Sequence, residues 1–339
     1  VVMGDIAYFT AQDGDHGREL WRSGGTNETT ALVKDIRPGA TGSEINHGLT
    51  VFNDLILFSA NDGTHGEELW ISDGTDNGTF MLKDMVEGDE SSDSDPLGFL
   101  DAGDFAYFSG SNASGRELWK TDGTTAGTVR VKDINPGNSG STPQALTVAG
   151  GTLFFNANDG THGEELWKSD GTEDGTVLVK DISSGGSSII EMVSIGNIVY
   201  FRATDGSIGH ELWRSDGTED GTHMVKDIYP GENSGAYGCS SPMPHECEGH
   251  KMLTEYNGKA YFSASDGEHG SEPWVTDGTK NGTVMVKDIR PGESSSLYCS
   301  IGYSFSSCFF EYNELLFFQA SDGEHGHELW RTDGTEDGH

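Results

Sequence analysis

Positive charge is scarce in this chain: 20 Lys and Arg stand against 56 Asp and Glu, a formal charge of -36 over 339 residues. Such a surface repels nucleic-acid phosphates and anionic lipid heads, which argues against nucleic-acid binding and favours divalent cations or basic partners. No apolar run approaches the ~20 residues of a membrane-spanning helix, so no membrane span is expected. No segment keeps a helical period, which argues against an α-helical fold. Cysteine is limited to Cys239, Cys247, Cys299 and Cys308. Their Cys-x7-Cys and Cys-x8-Cys spacings do not fit a zinc knuckle, so two local loop disulfides are expected, Cys239–Cys247 and Cys299–Cys308, in an oxidising compartment. The Ser-His-Asp pattern, the paired-carboxylate signature and the phosphate loop are all missing. No catalytic or cofactor-binding residue is therefore nominated, and a non-enzymatic protein is expected. The chain begins at Val1 rather than Met and is read as a processed product or fragment that has lost its targeting segment.

What is abundant is glycine, 49 residues, and a tryptophan-bearing phrase. The seven tryptophans, Trp21, Trp70, Trp119, Trp167, Trp213, Trp274 and Trp330, are separated by 49, 49, 48, 46, 61 and 56 residues. Each follows Glu-Leu, except Trp274, which follows Glu-Pro. The two long intervals contain the cysteine pairs. Each unit reads as four short strands: a run such as "GLTVF", a run ending in Phe, the Glu-Leu-Trp strand, and "VKDI" or a variant. Asp-Gly turns of the "DGTHG" and "SDGTEDGT" types supply the positive-φ residues that tight hairpins need. Seven such units at a period near 50 predict an all-β fold, a seven-bladed β-propeller of four-stranded antiparallel blades. The single domain spans 1-339, with blades at about 1-45, 46-95, 96-142, 143-188, 189-249, 250-307 and 308-339. The Trp are assigned to the inter-blade core. Blade seven stops after its third strand and is expected to be incomplete, with an open outer edge.

The phrase "ELWKSDGTEDGTVLVKDI" resembles the ELWxxDGT repeat of bacterial and archaeal extracellular proteins, over essentially the whole chain. The resemblance implies a propeller and says little about function. Copy one departs from it at Gly24, copy three at its "GSNASG" turn and copy six at Pro273.

The repeated polar residues have bland and functional readings. The DGT aspartates, with Asp73, Asp170, Asp216 and Asp277 as metal candidates, are Asx-turn residues or calcium ligands, calcium being the one cofactor considered. The Glu before Leu-Trp and the Lys of VKDI, as in Glu68 with Lys83 or Glu165 with Lys180, are read as ion pairs across a hairpin. The turn histidines His16, His65, His162, His269 and His325 are read as turn-stabilising. Four sequons, at Asn27, Asn77, Asn112 and Asn281, are glycosylation candidates. Strand alternation places the His turns, the cysteine inserts and the acidic loop "EGDESSDSDP" on one face. A partner site is expected there, at Tyr237, Tyr298, Tyr303 and Phe305. The function expected is a secreted or cell-surface structural or adhesive protein, self-associating head-to-tail into a filament through the open edge of the last blade. A carbohydrate- or protein-ligand-binding propeller using the cysteine-insert face is the alternative.

Overall fold

The computed structural model describes residues 1–89, 91–189, 191–236, 253–297 and 308–333. Cys239, Cys247, Cys299, Tyr237, Tyr298, Tyr303 and Phe305 lie outside the described residues. Cys308 is disulfide-bonded.

Seven antiparallel sheets follow one another along the chain, each pairing its strands in sequence order. The second sheet is representative: Thr50–Phe52, Leu55–Asn61, Glu67–Ser72 and Phe80–Lys83. Six sheets have four strands, and the seventh, Phe309–Tyr312, Leu315–Ala320 and Glu328–Thr332, has three among the described residues. There is no α-helix among the described residues, and a single 3-10 turn at Asn27–Thr29. An all-β chain of consecutive meanders, each a separate sheet, is the architecture of a β-propeller. The chain divides into two compact units. The first is Val1–Leu146 with Asn158–Gly160 and Gly171–Thr176, and the second is Thr147–Ala157 with Thr161–Asp170 and Val177–His339.

Within each unit the core lies between successive sheets. Trp70 of the second sheet packs among Tyr8, Leu20 and Ile36 of the first, and Trp119 of the third among Leu57 and Leu69 of the second. In the second unit Trp213 packs with Phe154 and Leu166, Trp274 with Tyr200 and Leu212, and Trp330 with Tyr261 and Val275. Strand alternation explains the pattern. Glu68 and Trp70 share one face of their strand, and Leu69 takes the other, toward the third sheet.

The same alternation corrects the expected Glu–Lys pairs. Lys83 lies opposite Leu69, not Glu68, and Lys180 lies opposite Leu166, not Glu165. A register shift beside each Trp sets this pairing. Each lysine therefore reaches the next sheet: Lys83 Nζ donates to the Thr128 carbonyl at 2.8 Å, and Lys180 Nζ to that of Thr222 at 2.8 Å. The glutamates are fully buried and accept backbone N–H bonds instead. Glu68 Oε2 takes the Met85 amide at 2.8 Å, and Glu165 takes those of Ile182 and Ser183 at 3.1 and 3.0 Å.

Candidate functional site

The repeated aspartates and histidines whose contacts are described bond within their own turns. Asp73, Asp216 and Asp277 each use Oδ1 to accept the backbone N–H and hydroxyl of the Thr two residues on, at 2.6–2.9 Å. Those bonds hold the carboxyls below their ordinary pKa, the hydroxyl bond contributing most. Each forms an Asx turn. Among the described residues, none of Asp73, Asp170, Asp216 and Asp277 belongs to a convergent group of potential metal ligands. The turn histidines pair within their own turns, His16 with Asp13, His65 with Asp62, His269 with Asp266 and His325 with Asp322, at 2.7–2.9 Å. Of the sequon asparagines, Asn27, Asn77 and Asn281 are exposed, and Asn112 is half-buried with its Oδ1 accepting the Ser114 amide.

One position breaks the repetition. The residue before Glu-Leu-Trp, or its Glu-Pro-Trp variant, is Arg18, Glu67, Arg116, Glu164, His210, Ser271 and His327 in turn. It lies at the start of the third strand, at its first or second residue or immediately before it, on the end of the sheet where the second-to-third turn and the inter-sheet connection emerge. Scaffold positions repeat because every sheet makes the same contacts. A position that changes charge from copy to copy is free of that constraint.

In the first unit this position builds a cluster. His47 lies in the connection that leads to Thr50–Phe52, Glu67 opens Glu67–Ser72, and Asp95 lies in the acidic loop just before Leu97–Asp101. His47 Nε2 stands 2.8 Å from Asp95 Oδ1 and 3.7 Å from Glu67 Oε1. Arg116, on Gly115–Thr121, grips Asp95 twice, Nη2 to Oδ2 at 2.5 Å and Nη1 to the carbonyl at 2.8 Å. Ser59 Oγ donates to Glu67 Oε1. The loop is tied down as well: Asp93 Oδ1 accepts the Glu67 amide at 2.7 Å, and the Glu67 carbonyl accepts the Ser94 and Asp95 amides at 3.0 and 3.1 Å. Burial pushes the Glu67 carboxyl up, against the bond from Ser59. Burial also acts to raise Asp95, but His47 and Arg116 outweigh it and hold that carboxyl below its ordinary value. Side-chain exposure runs from 14% at Glu67 to 35% at Asp95, so the cluster is half-sheltered yet open to solvent.

In the second unit the same position builds something different. His210 adjoins Arg202 of Ile198–Ala203. Burial, then the Arg202 charge, pushes the imidazole down to about 4, so His210 is neutral. Burial pushes Arg202 itself down to about 10, with Glu191 and Glu211 opposing.

The acidic loop and its face were expected to carry function, but His47, Glu67, Asp95 and Arg116 were not among the candidate residues. The signal that finds the position is its variability among copies that otherwise repeat. His47 has no such signal, since it lies in an irregular connection.

No family model matches the chain, and no curated protein does. Solved structures do. A puromycin-hydrolysing peptidase of Mycobacterium tuberculosis aligns over 100% of this chain and 51% of its own, at 12% identity and a TM-score of 0.54. A prolyl endopeptidase aligns over 98% of this chain and 49% of its own, at 12% identity and a TM-score of 0.53. Prolyl oligopeptidase B from Galerina marginata aligns over 98% and 47%, at 12% identity and a TM-score of 0.50. The chain thus spans about half the length of these structures, and at such identity the likeness concerns the fold alone. It nevertheless corrects the expectation of a structural, adhesive or filament-forming protein, because the folds that this chain resembles are parts of peptidases. That expectation treated a fold without a legible catalytic motif as a building material, whereas the same fold can stand beside chemistry carried elsewhere.

Proposed function

We propose that the chain is a non-catalytic propeller module that works with a peptidase-type hydrolase, on the same polypeptide or a separate one, and engages peptide through the face that carries the variable position. The observation that carries this reading is the alignment of the whole chain with about half the length of several peptidases. The diversity of charge at the variable position supports it, since a surface that sorts peptides needs differing groups at equivalent points of a repeated frame. The proposal includes a closed ring of seven blades and kinship with the ELWxxDGT repeats, both supported by seven copies of the Trp-bearing unit. It also includes an oxidising, extracellular setting, supported by the disulfide at Cys308.

The test has two readouts on the purified chain. Puromycin and fluorogenic proline-containing peptides should not be turned over. A fluorescein-labelled basic peptide should bind with salt-sensitive anisotropy, and Glu164→Lys, at an exposed variable position, should weaken it several-fold. Turnover by the chain alone overturns the non-catalytic reading. Peptide binding that is absent, or unchanged in the variant, overturns the role of this face.

A further inference from the structure

We propose that His47, Glu67 and Asp95 form a zinc site. Among the described residues this is the one group in which three potential metal ligands converge, their ligand atoms all within 4.8 Å of one another. They come from three separate stretches of chain: the connection into the second sheet, the third strand of that sheet, and the connection into the third sheet. Convergence across such distances is not a local turn effect, unlike the Asp–His pairs of the DGxHG turns.

The donor set selects the metal. One imidazole nitrogen and two carboxylate oxygens suit zinc, and three protein ligands leave a fourth position for water or another ligand. Calcium takes six to eight oxygens and would gain little from the imidazole. Two carboxylates balance the ion's double charge. The supporting contacts are those of a metal site as well. Arg116 holds the outer oxygen of Asp95 and leaves Oδ1 for the ion, and Ser59 donates to Oε1 of Glu67, the oxygen nearest His47, so each ligating carboxylate is held by a donor.

The distances require a small opening. Tetrahedral zinc places its ligands roughly 3.4 Å apart. The His47–Glu67 separation of 3.7 Å is already close to this, and the His47–Asp95 separation of 2.8 Å must widen by about half an ångström as the ion replaces the shared proton. His47 lies in a connection and is 26% exposed, which permits that movement and gives the ion access. The bound ion would tie the second sheet to the connections on either side of it.

The experiment titrates zinc chloride into the chelator-stripped chain by calorimetry and follows the melting temperature. The expected result is one site lost in both His47→Ala and Glu67→Gln, with affinity for it falling more than ~100-fold. His65→Ala, which removes a surface Asp–His pair, keeps that site. Saturating zinc should raise the melting temperature of the parent chain by at least ~3 °C and leave His47→Ala unchanged. Calcium chloride should do neither. Absence of saturable zinc binding, or the same number of sites and the same affinity in both ligand variants, overturns the proposal. Because peptide turnover and peptide binding are measured separately, this result stands or falls apart from the proposed function.

Discussion

A single buried carboxylate, written once in each of the first six sheets, does much of the joining. Glu211 accepts the Ile228 amide on Oε2 at 3.1 Å, and the Tyr229 and Gly235 amides on Oε1 at 3.3 and 2.8 Å. It thereby satisfies three backbone donors of the connection that leaves its own sheet, donors that would otherwise be buried unpaired. Burial pushes its carboxyl up to about 7, even though these N–H groups favour the charged form. A carboxyl raised on folding holds more protons in the native than in the unfolded state between its two pKa values. Its contribution is complete below the unfolded value and is lost as pH rises through about 7. Glu211→Gln, whose amide does not titrate, should therefore lower the melting temperature most at pH 5, where the contribution of Glu211 is fullest. It should also flatten the decline from pH 5 to pH 8. A parallel downward shift at every pH would show that Glu211 does not titrate in this window.

At the scale of the element, the DGT turn answers why one phrase recurs. The turns at Gly74, Gly171 and Gly217 are each held by the sheet before them. Arg22 Nη1 donates to the Gly74 carbonyl at 3.0 Å, Lys120 Nζ to that of Gly171 at 2.9 Å, and Lys168 Nζ to that of Gly217 at 2.7 Å. The fourth-strand lysines add a second hold on the residue that closes the turn, as Lys226 does on Thr283 at 2.8 Å. The turn needs its glycine for two reasons. Gly74 has φ of 85°, and a Cβ there would run into the Tyr8 hydroxyl of the first sheet. Gly74→Ala should cost about 2–4 kcal/mol, from the left-handed backbone and the steric clash together. Adding Tyr8→Phe should return the hydroxyl's share of the steric cost and leave the backbone part together with the crowding by the ring carbons Cζ and Cε1, which lie 2.7 and 2.9 Å from the new Cβ. Chemical denaturation of the two single variants and the double variant measures this, and strictly additive losses would show that the Tyr8 hydroxyl carries none of the cost.

Over the whole molecule the charge imbalance sets the response to solvent. The turn histidines His16, His65, His269 and His325 are raised by their aspartate partners. A histidine raised on folding likewise contributes stability below its unfolded value and loses it as pH climbs through the folded value. The buried glutamates act in the same direction, and rising pH also completes a formal charge of -36. All three effects lower stability between pH 5 and pH 8. Self-repulsion among exposed carboxylates is screened by salt, so the melting temperature at pH 8 should rise on going from low salt to ~0.3 M sodium chloride. A fall would mean that surface ion pairs outweigh the repulsion.

The fold class was legible because a repeat reports on itself. The Trp spacing, the Asp-Gly turns and the period-two runs each point to the same short antiparallel sheet, and strand pairing within a sheet is local. The bland reading of Asp73 and of the turn histidines was legible for the same reason, since an Asx turn is completed within three residues. The partner of Glu165 was not. Lys180 is near in sequence and opposite in charge, but a register shift beside Trp167 places it opposite Leu166, on the face away from Glu165, and only the folded sheet decides that. The cluster of His47, Glu67, Asp95 and Arg116 was still further from view. The sequence by itself determined that the residue before Glu-Leu-Trp varies in charge, and that an acidic loop lies on the same face. Which of these groups meet depends on how one sheet packs against the next. That packing is driven by buried Trp, Leu and Phe, which carry no information about the polar residues that they bring together.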